Sequence, residues 1–158
     1  MNRLLRPACL ALFLLLSACG GNAPPAKPAA QAADAGATVS GGDFVIHANA
    51  LQTSALNETV AKGYGIARDD KTVLLIVAVR TNDAGAERSL PARVSVTVAG
   101  LTGDKRSVEM REQRTGDLVD YVGTVETSLP ETLRFDITAT LTHGGIAKAQ
   151  FSREFYPR

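Results

Sequence analysis

Leu133-Arg134-Phe135-Asp136-Ile137-Thr138-Ala139-Thr140-Leu141-Thr142, followed by His143-Gly144-Gly145 and Ile146-Ala147-Lys148-Ala149, is the stretch whose pattern settles the fold class. Leu133, Phe135, Ile137, Ala139 and Leu141 occupy every second position. Successive side chains of a strand point to opposite faces, so this spacing aims one apolar stripe at a core. His143-Gly144-Gly145 reads as a tight hairpin turn, because glycine accepts positive φ without a Cβ clash. The returning strand runs from Ile146 to Tyr156.

The same reading extends toward the N-terminus. In Arg93–Ala99, Val94, Val96 and Val98 alternate with Arg93, Ser95 and Thr97, the pattern of a strand wet on one side. Thr72–Arg80 is apolar on both faces and therefore central. Phe44–Asn49, Arg106–Arg114 and Leu118–Glu126 bring the expected number to seven strands. One short helix is predicted, capped by Asn57, running through Glu58 to Lys62 and ending at Gly63. The fold class is all-β: a seven-stranded immunoglobulin-like or fibronectin-like sandwich, with a small barrel fitting the same strand spacing. The absence of Trp and of a Cys pair in this region argues against an antibody-type domain.

Charge narrows the function classes. Seventeen Lys and Arg against sixteen Asp and Glu leave a formal net charge of +1, with 45% hydrophobic residues. No basic excess is available to hold a phosphate backbone, so no nucleic-acid partner is expected, and no charge block keeps the chain disordered.

The N-terminus has a different logic. Arg3 and Arg6 precede an apolar run from Ala8 to Ala18 that is too short for a bilayer span of about 20 residues. Leu16-Ser17-Ala18-Cys19 resembles the lipobox of bacterial lipoproteins. The resemblance implies a signal peptide over 1–18 and fatty acylation of Cys19, which becomes the membrane anchor. Gly20 in the following position implies export to the outer membrane, facing the periplasm. The rival is ordinary secretory cleavage nearby, leaving Cys19 as a free thiol. Residues 19–42, rich in Ala, Pro and Gly, are expected to form a disordered tether, and 43–158 the domain. Cys9 leaves with the leader and Cys19 carries lipid, so thiol nucleophiles and Cys-ligated zinc are excluded from the folded part.

The domain shows no catalytic constellation and implies no cofactor. Its serines lack a G-x-S-x-G elbow, and His47 and His143 are too few for a metal site at ligand spacing. Glu109 and Glu112 among Arg106, Arg111 and Arg114 read as a solvated charge ladder. Tyr64, between Gly63 and Gly65, is placed on a turn, where it plugs the core or faces a partner. The candidate binding residues are His47, Tyr64, Arg68, Arg111, Asp117 and Tyr121. The expected function is non-enzymatic binding of another envelope protein. Ile146–Phe155, if at a sheet edge, would offer backbone groups to a partner strand. The alternative is a small-molecule or metal pocket gathering His47, Tyr64, Arg68 and Tyr121.

Several distributed motifs carry a family likeness: Asp43-Phe44-Val45-Ile46-His47, Gly63-Tyr64-Gly65-Ile66 with Arg68, Glu109-Met110-Arg111-Glu112, Gly116-Asp117, Tyr121 with Gly123, Glu131-Thr132-Leu133-Arg134-Phe135, and Phe155-Tyr156-Pro157. Together they resemble domain-of-unknown-function family 4426, small secreted and lipoprotein domains of Gram-negative bacteria. The likeness covers Asp43 to Arg158 and implies no catalytic role. Ala48 stands where an aromatic often follows the position of His47 in that family.

Overall fold

The computed structural model describes residues 36–81 and 88–158. The expected leader, Cys19 and the tether as far as residue 35 lie outside the described residues. In chain order the elements are β1 (Ala37–Ser40), β2 (Phe44–Gln52), a 3-10 turn (Thr53–Ala55), α1 (Glu58–Tyr64), β3 (Thr72–Thr81), β4 (Ala92–Ala99), β5 (Lys105–Val108), β6 (Arg111–Thr115), β7 (Leu118–Glu126), β8 (Glu131–Leu141) and β9 (Ile146–Phe155). They form two antiparallel sheets, one ordered β1-β2-β3-β7-β6 and the other β5-β4-β8-β9. Apart from β1, this is the A-B-E-D and C′-C-F-G arrangement of an immunoglobulin-like sandwich. Among the described residues no helix is long and apolar enough to cross a membrane.

The alternating stripes meet between the sheets. Leu133, Phe135, Ile137 and Ala139 of β8 are buried against Val73, Leu75, Val77 and Val79 of β3 and Phe44 and Ile46 of β2. β3 is apolar on both faces for a visible reason: Leu74 and Ile76 point the other way and pack with Leu56, Ala61 and Val122 beneath α1. That helix is capped by Asn57, whose Oδ1 accepts the Val60 N–H at 2.8 Å. It ends at Gly65 rather than at Gly63. Gly65 takes the left-handed conformation, φ 63°, and its N–H returns to the Lys62 carbonyl, while Gly63 remains helical.

Among the described residues nine strands form instead of the expected seven, for two reasons. The last residues of the expected tether are not a tether. Ala37 and Val39 fall at period two, pair with Ala48 and Ile46, and pack on the core, which makes Ala37–Ser40 a strand. The expected single strand Arg106–Arg114 is two: β5 pairs with β4, and β6 pairs with β7 in the other sheet. The chain changes sheets at Glu109-Met110, directly over Gly123. A Cβ at Gly123 would lie 2.7 Å from both the Glu109 carbonyl oxygen and Met110 Sδ, so the crossing requires glycine there.

β9 is an outer strand, the condition for strand addition, yet it is shielded. β1 runs alongside it from the opposite sheet without sharing its ladder. Arg153 donates to Asn49 Oδ1 at 2.9 Å and to the Ala50 carbonyl, and Gln52 Nε2 to the Tyr156 carbonyl at 2.8 Å, fastening β9 to the end of β2.

Candidate functional site

The register of the five-stranded sheet decides which candidate residues meet. Thr38, His47, Ala78, Asp120 and Gln113 lie in one row across its outer face, and Asn49, Ile76, Val122 and Arg111 in the next. His47 Nδ1 is 3.2 Å from Thr38 Oγ1. Arg80 is only 5% exposed although it lies on this outer side, because its guanidinium is held by the Val119 carbonyl at 2.9 Å and by an ion pair with Asp120. Burial, and then the negative charge of Asp120, push the Tyr64 hydroxyl above its ordinary pKa.

Arg111 joins the helix to the sheet edge. Its guanidinium donates to the Tyr64 carbonyl in the last turn of α1 and to Gln113 Oε1 at 2.9 Å. A cation there is favoured, since the final carbonyls of a helix lack intrahelical partners and carry its negative end. Between this contact and the Glu109-Met110 crossing lies an open groove of about 410 Å³. Gly65, Ile66, Glu109 and Arg111 line its sides, and Val122, Gly123 and Thr124 its floor. Arg111 and Glu109 are exposed at the rim and Thr124 on the floor, so the groove offers one charge of each sign over a floor whose exposed side chain is a threonine.

Of the six candidates, His47, Tyr64 and Arg111 therefore share one face. The other three do not join them. Arg68 lies in the loop after α1 and donates to the Ser54 carbonyl at 2.9 Å, bracing the 3-10 turn. Asp117 occupies the exposed two-residue turn between β6 and β7, beside Gly116 at φ 60°. Tyr121 faces inward and is 4% exposed, with its hydroxyl accepting the Ala92 N–H at 2.8 Å across the two sheets. A single pocket of His47, Tyr64, Arg68 and Tyr121 is thus not formed, because strand parity sends His47 and Tyr121 to opposite faces. Among the described residues, no three His, Cys, Asp or Glu side chains come together as metal ligands.

Sequence reasoning missed Asp120 and Gln113 as members of this face, since only the register shows which strand lies beside which. It also missed a wider cleft of about 630 Å³ at one end of the sandwich, where Asp69, Lys71, Arg106, Glu126 and Glu131 gather. Much of that charge is engaged locally. Arg106 donates to the Glu126 carbonyl, and Glu131 Oε1 accepts the Leu101 and Thr132 N–H groups at 3.1 and 3.0 Å.

Comparisons with known proteins fit this architecture. The model of the family described as "Domain of unknown function (DUF4426)" matches residues 38–158. A DUF4426 family protein from Pseudomonas aeruginosa is similar in structure, with a TM-score of 0.65 at 22% identity over 77% of this chain and 95% of that one. FetP of uropathogenic Escherichia coli, expressed in the periplasm, has a TM-score of 0.54 at 14% identity over 77% and 94% of the two chains. A copper-bound variant of FetP has a TM-score of 0.50 at 12% identity, over 77% and 95%. At these identities the likeness is one of fold. No curated protein matches the chain.

Proposed function

Starting from a chain that belongs to the DUF4426 family, we propose that it is a non-enzymatic binding module, anchored to the outer membrane through lipidated Cys19 and facing the periplasm, which docks another envelope protein in the Arg111 groove. The observation that carries this is convergence. Three stretches far apart in sequence, around residues 64–66, 109–111 and 122–124, meet at one groove, and the exposed Arg111 guanidinium stands at its rim. A planar guanidinium is suited to bidentate recognition of a carboxylate, so the partner presents an acidic side chain there, with apolar contact to half-buried Ile66. The leader pattern supports the anchor, and the lack of a nucleophile–base pairing in the sequence supports a binding role.

The test is capture of partners from cross-linked envelopes by three forms of the full chain. The wild type and Lys71→Glu, altered at the far cleft, retain one stoichiometric partner, whereas Arg111→Glu loses it. Cys19→Ala moves the protein to the soluble periplasmic fraction. Equal capture by Arg111→Glu overturns the groove, and membrane retention of Cys19→Ala overturns the anchor. A metal-binding role is the second reading, favoured by the copper carried by the FetP variant. It requires copper to co-purify with the wild type and to be lost in His47→Ala.

A further inference from the structure

We infer that β6 is a self-recognition edge, pairing antiparallel with β6 of a second copy of this chain about a two-fold axis through Gln113. β6 is the outermost strand of the five-stranded sheet, and β7 is its partner on the inner side. Its sequence, Arg111-Glu112-Gln113-Arg114-Thr115, is exposed except for half-buried Gln113.

The register follows from two constraints. Side chains facing each other across a strand pair must lie on the same face, so odd-numbered residues meet odd and even meet even. Among such registers that overlap by at least three residues, one centred on Glu112 sets Glu112 against its own copy, and one centred on Arg114 sets two guanidiniums together. Like charges directly opposed are destabilising. Centring on Gln113 overlaps all five residues. It places Glu112 against the partner's Arg114 and Arg114 against the partner's Glu112, with Arg111 opposite Thr115. Within one copy, Glu112 and Arg114 already lie 3.0 Å apart on the same side of the strand, so the charges form an alternating four-membered cluster when two copies meet. Five paired residues a side is well below the roughly 20–30 of a stable interface. The contact is weak in dilute solution and relies on high local concentration. This inference does not depend on the groove or on the adaptor reading.

The experiment is cysteine trapping in the full chain, expressed in a Gram-negative envelope under mild oxidation, with the parent chain as control for Cys9 and Cys19. Directly opposed residues have Cα atoms about 4.5–5.5 Å apart, inside the disulfide range of about 4.4–6.8 Å. Gln113→Cys therefore gives a covalent dimer above the parent level, and Arg111→Cys, which faces Thr115, does not. Adding Glu112→Arg to Gln113→Cys turns two attractive pairs into two repulsive ones and lowers the trapped fraction about tenfold. Adding Arg114→Glu as well restores the complementarity and returns the fraction to near its starting value. Absence of a Gln113→Cys dimer overturns the inference. So does equal trapping at Arg111→Cys, or failure of the double exchange to rescue.

Discussion

Replacing Tyr121 with Phe removes one oxygen atom and nothing else, which makes it a sharp test of how the two sheets are joined. The Tyr121 hydroxyl accepts the Ala92 N–H at 2.8 Å, linking β7 of one sheet to β4 of the other. The ring stays, so apolar burial is unchanged and no cavity opens. What remains is an amide donor without its partner. A buried donor left unsatisfied costs about 1–3 kcal/mol. Ala92 is half-buried, so water reaches its N–H in part, and the expected loss is in the lower part of that range, about 1–2 kcal/mol. With a urea m-value of about 2 kcal/mol/M, the midpoint falls by about 0.5–1 M at unchanged m. Partner capture measured well below the midpoint is unaffected, because Tyr121 faces the core and the groove lies on the other side of the sheet. A loss under about 0.5 kcal/mol would refute the inter-sheet role. Loss of capture at wild-type stability would return Tyr121 to the binding site.

Two further outcomes are expected. Gly123→Ala pushes a methyl group to within 2.7 Å of the Glu109 carbonyl oxygen and 2.8 Å of Val108 Cγ1, where backbone has little room to yield. Overpacking of this kind costs about 1–3 kcal/mol, read as a lower urea midpoint, and a change within experimental error would show that the sheet switch is looser than described. Tyr64 ionises above its ordinary value because of burial and then Asp120. Its folded pKa lies above the unfolded one, so the associated stability is complete below about pH 10 and is lost as pH rises through the folded value. With no Trp in the chain, phenolate absorbance follows this directly. Asp120→Asn moves the Tyr64 contribution, isolated as the difference from a Tyr64→Phe chain, to lower pH, and an unmoved difference curve would separate Tyr64 from Asp120.

Local pattern carried much of the fold because strands with one wet face announce themselves. β7 begins and ends where alternation and flanking turn residues place it, and the β8 stripe forms the floor of the core. Arg106–Arg114 failed as one strand because its charges alternate without a break, and nothing local marks a change of sheet. The marker is Gly123, distant in sequence, whose missing Cβ makes room for the crossing. β1 was hidden in a different way: Ala37 and Val39 are two weak apolar signals that matter only once Ile46 and Ala48 lie beside them. The candidate site divides along the same line. Residue type alone selected Tyr64 and Arg111, but it also selected Tyr121, since an amphipathic ring serves a core and a surface equally well. Parity along β7 and its pairing with β3 assign Tyr121 inward and Asp120 outward, and neither is available before strand order is known.

Sheet edges are where a sandwich either prevents or permits association, and the edges here are managed in different ways. β9 is shielded by β1 and fastened by Arg153 to β2. β5 carries Lys105 and Arg106 with no acid among its four residues, so a second β5 is repelled, a common protection of exposed strands. β6 departs from this rule. Protection by charge works when an edge presents one sign to its own copy, whereas β6 presents Glu112 and Arg114 placed symmetrically about Gln113. That arrangement opposes neighbouring registers and favours one. Solubility alone would be served as well by two basic residues as by an acid and a base. The pattern therefore distinguishes an edge that is merely solvated from one that selects its partner, and the Glu112→Arg, Arg114→Glu exchange reads that difference directly. If β6 were only solvated, single and double variants would behave alike; if it selects its own copy, the second change undoes the first.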